Sequence, residues 1–145
     1  MALMQVELTN KDFGFTATDA MGNEVMIDIP VEQGGKAGGF RPMQTLLAGL
    51  GGCSGVDVVS ILKKQRQEIF RFNIQIDGER EEGVEPSLWK QIQLNFDFEG
   101  NIEPAKAYRA VELSINKYCS VAATLRKAGA NLSWSVIVNG SQVNP

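Results

Sequence analysis

The chain contains no histidine. That absence removes Ser-His-Asp and Cys-His catalysis, imidazole acid–base chemistry and most zinc sites. Cysteine is scarce as well: two in 145 residues, Cys53 and Cys119, far apart in sequence and without the close CxxC pairing of a zinc knuckle. No metal site and no cofactor are expected from such a composition. Nor is there an excess of positive charge: 14 Lys and Arg against 17 Asp and Glu give a net charge of -3. Phosphate binding needs a concentrated surplus of basic side chains, so no nucleic-acid partner is expected. The basic run Lys63-Lys64-Gln65-Arg66 closes an apolar segment and reads as a solvated helix end that complements the helix dipole. No run reaches 18 consecutive apolar residues, and no membrane span is expected. The stretch from Met1 to Glu7 lacks a basic leader region and meets a charge too early for a secretory segment. A cytoplasmic protein is the expectation. In that reducing setting two cysteines are free thiols or transient redox partners rather than a structural staple.

What is present is enough apolar material, 43% of the chain, to bury a core. The length and pattern predict one α+β domain over residues 1–145, in the order βββ-α-ββ-αα-β. Val6 and Leu8, then Phe13 to Ala17, then Val25 to Ile29 alternate with polar residues as three strands, with a turn at Met21-Gly22-Asn23. Residues 33–39 carry four glycines; they read as a mobile connector or as a loop closing over a site. Pro42 suits a first helical turn, and the residues after it are apolar nearly all round, which marks a buried helix. Gly49, Gly51 and Gly52 weaken that helix by about 1 kcal/mol each relative to alanine. Either another backbone packs close there or the helix breaks at Gly51-Gly52. Strands follow over Phe72–Asp77 and Ile92–Phe98, joined by an acidic connection. A helix opens at Pro104, a short one runs from Ser120 to Ala128 with Gly129 as its stop, and Leu132–Val138 is the last strand.

The chemistry centres on the two thiols. Cys53 lies in the most apolar helix, where a cysteine often only fills space. Cys119 sits at a helix junction, where unpaired N–H groups and the positive dipole end favour a thiolate. A thiolate at Cys53 needs a nearby cation, and Arg41, which precedes the helix, is the candidate. Asp57, four residues on, shares the Cys53 face and opposes ionisation of the thiol unless a cation pairs with it; Arg126 or Lys127 is the expected partner.

The segment from Arg41 to Val59, RPMQTLLAGLGGCSGVDVV, resembles the signature of the OsmC/Ohr family, the osmotically inducible protein C and organic hydroperoxide resistance proteins. Lys117-Tyr118-Cys119-Ser120-Val121 stands at the place of that family's second cysteine, and the order of strands and helices agrees over nearly the whole chain. The resemblance implies an OsmC-like fold with central helices packed against antiparallel sheets, and an intertwined homodimer with active sites at the subunit interface. It implies thiol-dependent reduction of an organic hydroperoxide: Cys53 attacks and becomes a sulfenic acid, Cys119 resolves it as a disulfide, and an external, lipoyl-type dithiol reduces the disulfide. In the family a Glu after the proline orients an activating Arg from the earlier strands. Here Met43 and Gln44 follow Pro42, and no Arg occurs before Arg41. Arg41 and Gln44 therefore take the supporting positions. Nine residues separate Gln44 from Cys53, half a turn out of phase on one straight helix, so either the helix kinks or the two serve sites shared between subunits. Two other functions fit the same residues: a non-catalytic module binding an apolar small molecule in the dimer cleft, and a redox sensor that signals through the disulfide.

Overall fold

In a computed structural model, which describes residues 3–145, the chain forms two compact units, Met1–Leu46 and Leu47–Pro145. The boundary falls inside the long central helix.

The N-terminal unit is an antiparallel meander of β1 (Met4–Leu8), β2 (Phe15–Asp19) and β3 (Glu24–Ile27), in the order β1-β2-β3. Asp19 makes its second turn by accepting the N–H groups of Met21 and Asn23. A short 3-10 turn at Val31–Gln33 leads into the glycine-rich segment. That segment is not a slack connector. Asp28 is buried and its carboxylate accepts the N–H groups of Ile29, Lys36 and Gly38 at 2.8, 3.3 and 3.1 Å. These donors hold the Asp28 carboxyl below its usual range, the Ile29 N–H contributing most. Two of the glycines are explained by close approach. A Cβ on Gly35 would lie 2.1 Å from the Ile29 carbonyl oxygen, and one on Gly39 2.3 Å from that of Met26.

The helix α1 (Pro42–Lys64) runs unbroken for 23 residues, so the alternative of a break at Gly51-Gly52 is excluded. Its buried residues are Leu50, Ser54, Val58 and Leu62, one turn apart on a single stripe. A Cβ at Gly51 would come within 3.0 Å of Ile76 and one at Gly55 within 3.4 Å of Ile74, so these glycines let the helix lie close against a strand. At Gly49 and Gly52 there is open space instead. The expectation of a helix buried all round is corrected: its other face is apolar and exposed, with Val56 71% accessible. By length and composition alone α1 could also cross a membrane, a property that counting consecutive apolar residues does not reveal; in this fold its stripe is core.

The C-terminal unit pairs β4 (Glu68–Arg80) with β5 (Trp89–Asn101), 13 residues each, in a sheet of order β4-β5-β6-β7. Phe72, Ile74 and Ile76 stand opposite Phe98, Phe96 and Leu94, and the Phe72 and Phe98 rings stack at 4.3 Å. The chain then crosses through α2 (Pro104–Leu113), a π turn (Ser114–Tyr118) and α3 (Ser120–Lys127) to β6 (Asn131–Val138). Because such a crossover returns the chain to the same end of the sheet, β6 lies parallel to β5. The expectation of wholly antiparallel sheets is corrected at this one ladder. The Asn139-Gly140 turn, both residues at positive φ, adds a further strand, β7 (Ser141–Val143). Ile92, Leu94, Phe96, Phe98, Val136 and Val138 are buried on one sheet face. Tyr108 of α2 leans on Trp134 with ring centres 4.9 Å apart. The opposite face is polar: Ser135 donates to Asn95, and Arg71 spans Asp97 and Glu99.

Candidate functional site: a thiol pair at a π turn

Cys53 and Asp57 project from the same side of α1, as their i, i+4 spacing requires. Cys119 reaches them from the end of the π turn. The Cys119 N–H donates to the Ser114 carbonyl at 2.8 Å, five residues back, which is the wider winding of a π turn. Arg126 fastens this turn from α3, donating to the carbonyl of Ile115 and, at 3.1 Å, to Asn116 Oδ1. Cys119 then leaves helical geometry, φ -71° and ψ 105°, and becomes the N-cap of α3, its Sγ accepting the Ala122 N–H at 3.4 Å. The outcome is convergence: Cys53 Sγ, Cys119 Sγ and an Asp57 carboxylate oxygen all lie within 4.8 Å of one another. Both cysteines are free thiols.

The two sulfurs are not equivalent. Cys53 is half-buried, while Cys119 is 3% exposed. Burial, the largest cause, together with the neighbouring Cys53, pushes the Cys119 thiol up to about 11, against the lowering effect of the α3 N–H groups. The expectation that the helix start favours a Cys119 thiolate is thereby corrected: desolvation outweighs the helix N-terminus.

Asp57 is placed differently from expectation too. Ser114 Oγ lies 2.9 Å from Asp57 Oδ2 and 3.3 Å from the Ser54 carbonyl oxygen. A hydroxyl has one proton to give, and the shorter contact takes it to the carboxylate. Arg126, expected as a partner for Asp57, is occupied by the π turn. Ser114 escaped the sequence reading, although a serine on the apolar side of α2, in line with Ala107 and Val111, is the signal that would have found it. It is fully buried.

Arg41 and Gln44 belong to the N-terminal unit. The Arg41 N–H donates to Gln44 Oε1 at 3.0 Å, so the Gln44 carboxamide closes the first turn of α1 as the N3 residue of a capping box. The Arg41 side chain is exposed and forms no ion pair among the described residues; it lines a hollow of about 340 Å³ with Gln44 and Glu32. Because α1 is continuous, Gln44 and Cys53 point to opposite sides of one helix.

A second concavity, an open groove of about 810 Å³, runs along the exposed face of α1. It is lined by Ala48, Gly51, Gly52, Gly55, Val56 and Val59, by Phe72, Ile74 and Ile76 of β4, and by Lys63 at one end.

Comparison with known proteins bears on this arrangement. "Protein YhfA" of Escherichia coli K12 is 41% identical over 115 residues, which cover 79% of this chain and 82% of that protein. A hypothetical protein of Aquifex aeolicus VF5 superposes with a TM-score of 0.79 at 33% identity, over 96% of this chain and 98% of that one. An organic hydroperoxide resistance protein OsmC of Legionella pneumophila shares the fold at 16% identity, with a TM-score of 0.71 over 95% of this chain and 97% of that one. Residues 34–135, which contain both cysteines and the π turn, match the family described as OsmC-like protein. The chain belongs to the OsmC-like protein family.

Proposed function

We infer that this protein is a cytoplasmic, thiol-dependent peroxidase acting on organic hydroperoxides. The observation that carries the reading is the unequal thiol pair, with sulfurs within 4.8 Å and only one of them deeply buried. The half-buried Cys53 is the attacking group. Its thiolate sulfur bonds to the distal peroxide oxygen as the O–O bond breaks, and the alkoxide takes a proton and leaves as the alcohol. Two electrons pass from sulfur to peroxide, leaving a sulfenic acid. Cys119, held protonated by its burial, keeps its proton until it is needed. Its sulfur then attacks Cys53, and the sulfenic hydroxyl departs with that proton as water. An external dithiol reduces the disulfide. Arg41 is the proposed activating cation, with Gln44 as its positioning neighbour. The family and the Legionella pneumophila hydroperoxide resistance protein support the reading.

The experiment is turnover of cumene hydroperoxide with a dithiol reductant. Cys53→Ser abolishes it; Cys119→Ser permits one oxidation per chain and no cycling. Equal activity in wild type and Cys53→Ser rejects the reading. The apolar groove of about 810 Å³ favours a second one, a non-catalytic module for an apolar ligand. It predicts an apolar molecule retained in native mass spectra and no sulfenic acid trapped by dimedone.

A further inference from the structure

The peroxide reaction leaves Asp57 unused, although it is the one charged side chain among Cys53, Asp57, Ser114 and Cys119. Asp57 is half-buried and forms no ion pair among the described residues; its partner is a hydroxyl. One carboxylate oxygen and two sulfurs within 4.8 Å of one another make a donor set without a cation. Ionisation of both thiols would place three negative charges there. A positive ion from solution supplies what the chain does not.

The donors select the ion. Mg²⁺ and Ca²⁺ require oxygen ligands throughout, whereas two thiolates and a carboxylate suit a soft or borderline ion such as Zn²⁺ or Cd²⁺. With Zn–S near 2.3 Å and Zn–O near 2.1 Å, neighbouring ligands on a tetrahedral zinc stand about 3.5–3.8 Å apart, so these donors need to move by about 1 Å or less. Support around the ligands is in place. The Ser114 hydroxyl donates to Asp57 Oδ2 and so orients the carboxylate, and Cys119 is fixed between the π turn and α3.

We propose that Cys53, Asp57 and Cys119 form a three-ligand site for Zn²⁺ in the reduced protein, with the fourth coordination position open. Loading forms two zinc–sulfur bonds and one zinc–oxygen bond and releases two thiol protons to solvent; no electron is transferred. Disulfide formation removes both thiolates and expels the ion. Zinc loading and peroxide reduction thus exclude one another, and zinc keeps the pair reduced and silent. The spacing of the cysteines argued against zinc because a knuckle needs neighbours in sequence; here the fold brings distant residues together.

The test uses reduced full-length protein under anaerobic conditions, with Zn²⁺ affinity measured by competition with a chromophoric chelator and Cd²⁺ binding followed by its thiolate charge-transfer absorption. Expected are one ion per chain, loss of binding in Cys53→Ser and in Cys119→Ser, and weakening by about tenfold in Ser114→Ala and by more in Asp57→Asn. Wild-type protein oxidised to the disulfide releases the ion, a comparison that needs no variant to fold. No stoichiometric binding by reduced wild type overturns the proposal, as does equal affinity of the oxidised form or an unchanged affinity in Asp57→Asn. These outcomes are independent of whether the protein turns over peroxide.

Discussion

At Cys119 two local effects oppose each other, and their balance sets the behaviour of the site. The N–H groups at the start of α3 favour a thiolate, while burial and the adjacent Cys53 sulfur disfavour one, and burial is the largest. With the thiol raised to about 11, alkylation of Cys119 by iodoacetamide stays slow to pH 9 and rises steeply towards pH 11. In Cys53→Ser the midpoint falls, because part of the upward push goes with the sulfur, but it remains above the ordinary value of 9.0. A midpoint below 9 in wild type would contradict the burial argument. The sign for stability follows. A proton acid raised on folding contributes stability that is complete below pH 9 and lost as pH rises through 11. The sequence made the junction at Cys119 legible but not its depth, since depth depends on the π turn that draws residue 119 inward. Asp57 is the same case: its i+4 relation to Cys53 is a matter of helical geometry, whereas its hydroxyl partner comes from a distant segment.

Among the elements, the ones legible from sequence have a local cause. Pro42, the apolar run and the basic end mark α1; alternation marks β4, β5 and β6; Gly129 marks the end of α3. The π turn has no such mark, because it ends the helix and too few residues follow to show the phase shift of about 100° that one extra residue brings. The Asn139-Gly140 hairpin did carry a strong local signal and was readable. The parallel ladder was not, since alternation marks a strand but not its direction, and a connection through two helices rules out only a hairpin. The glycine-rich segment shows where composition misleads. Its glycines do not provide slack; they allow backbone to approach backbone around Asp28. Gly35→Ala would press a Cβ against a carbonyl that cannot swing aside, and we expect a loss of about 1–3 kcal/mol in denaturant unfolding. An unchanged midpoint would restore the slack connector. In the other unit Leu62→Ala removes a fully buried side chain from the α1 stripe and should cost about 2–5 kcal/mol.

For the whole molecule the unresolved quantity is apolar surface. Val56 and Leu46 of α1, Phe70 of β4, and Val6, Leu8 and Val25 in the N-terminal sheet all remain exposed. Exposed apolar side chains in such number mark association. The groove over α1 and β4 is one such apolar face, and the occupant we propose for it is a second copy of the chain, as the family resemblance implies. A homodimer would also let Gln44, half a turn out of phase with Cys53 on α1, serve a site shared between subunits. Light scattering coupled to size exclusion should therefore give twice the 15.8 kDa chain mass. Val56→Glu places a charge in the middle of the proposed contact, and burying an unpaired carboxylate there is strongly unfavourable. That variant should run as a monomer and lose peroxide turnover while both thiols remain titratable. A wild-type monomer at micromolar concentration would remove the dimer, and an active Val56→Glu monomer would confine the site to one chain.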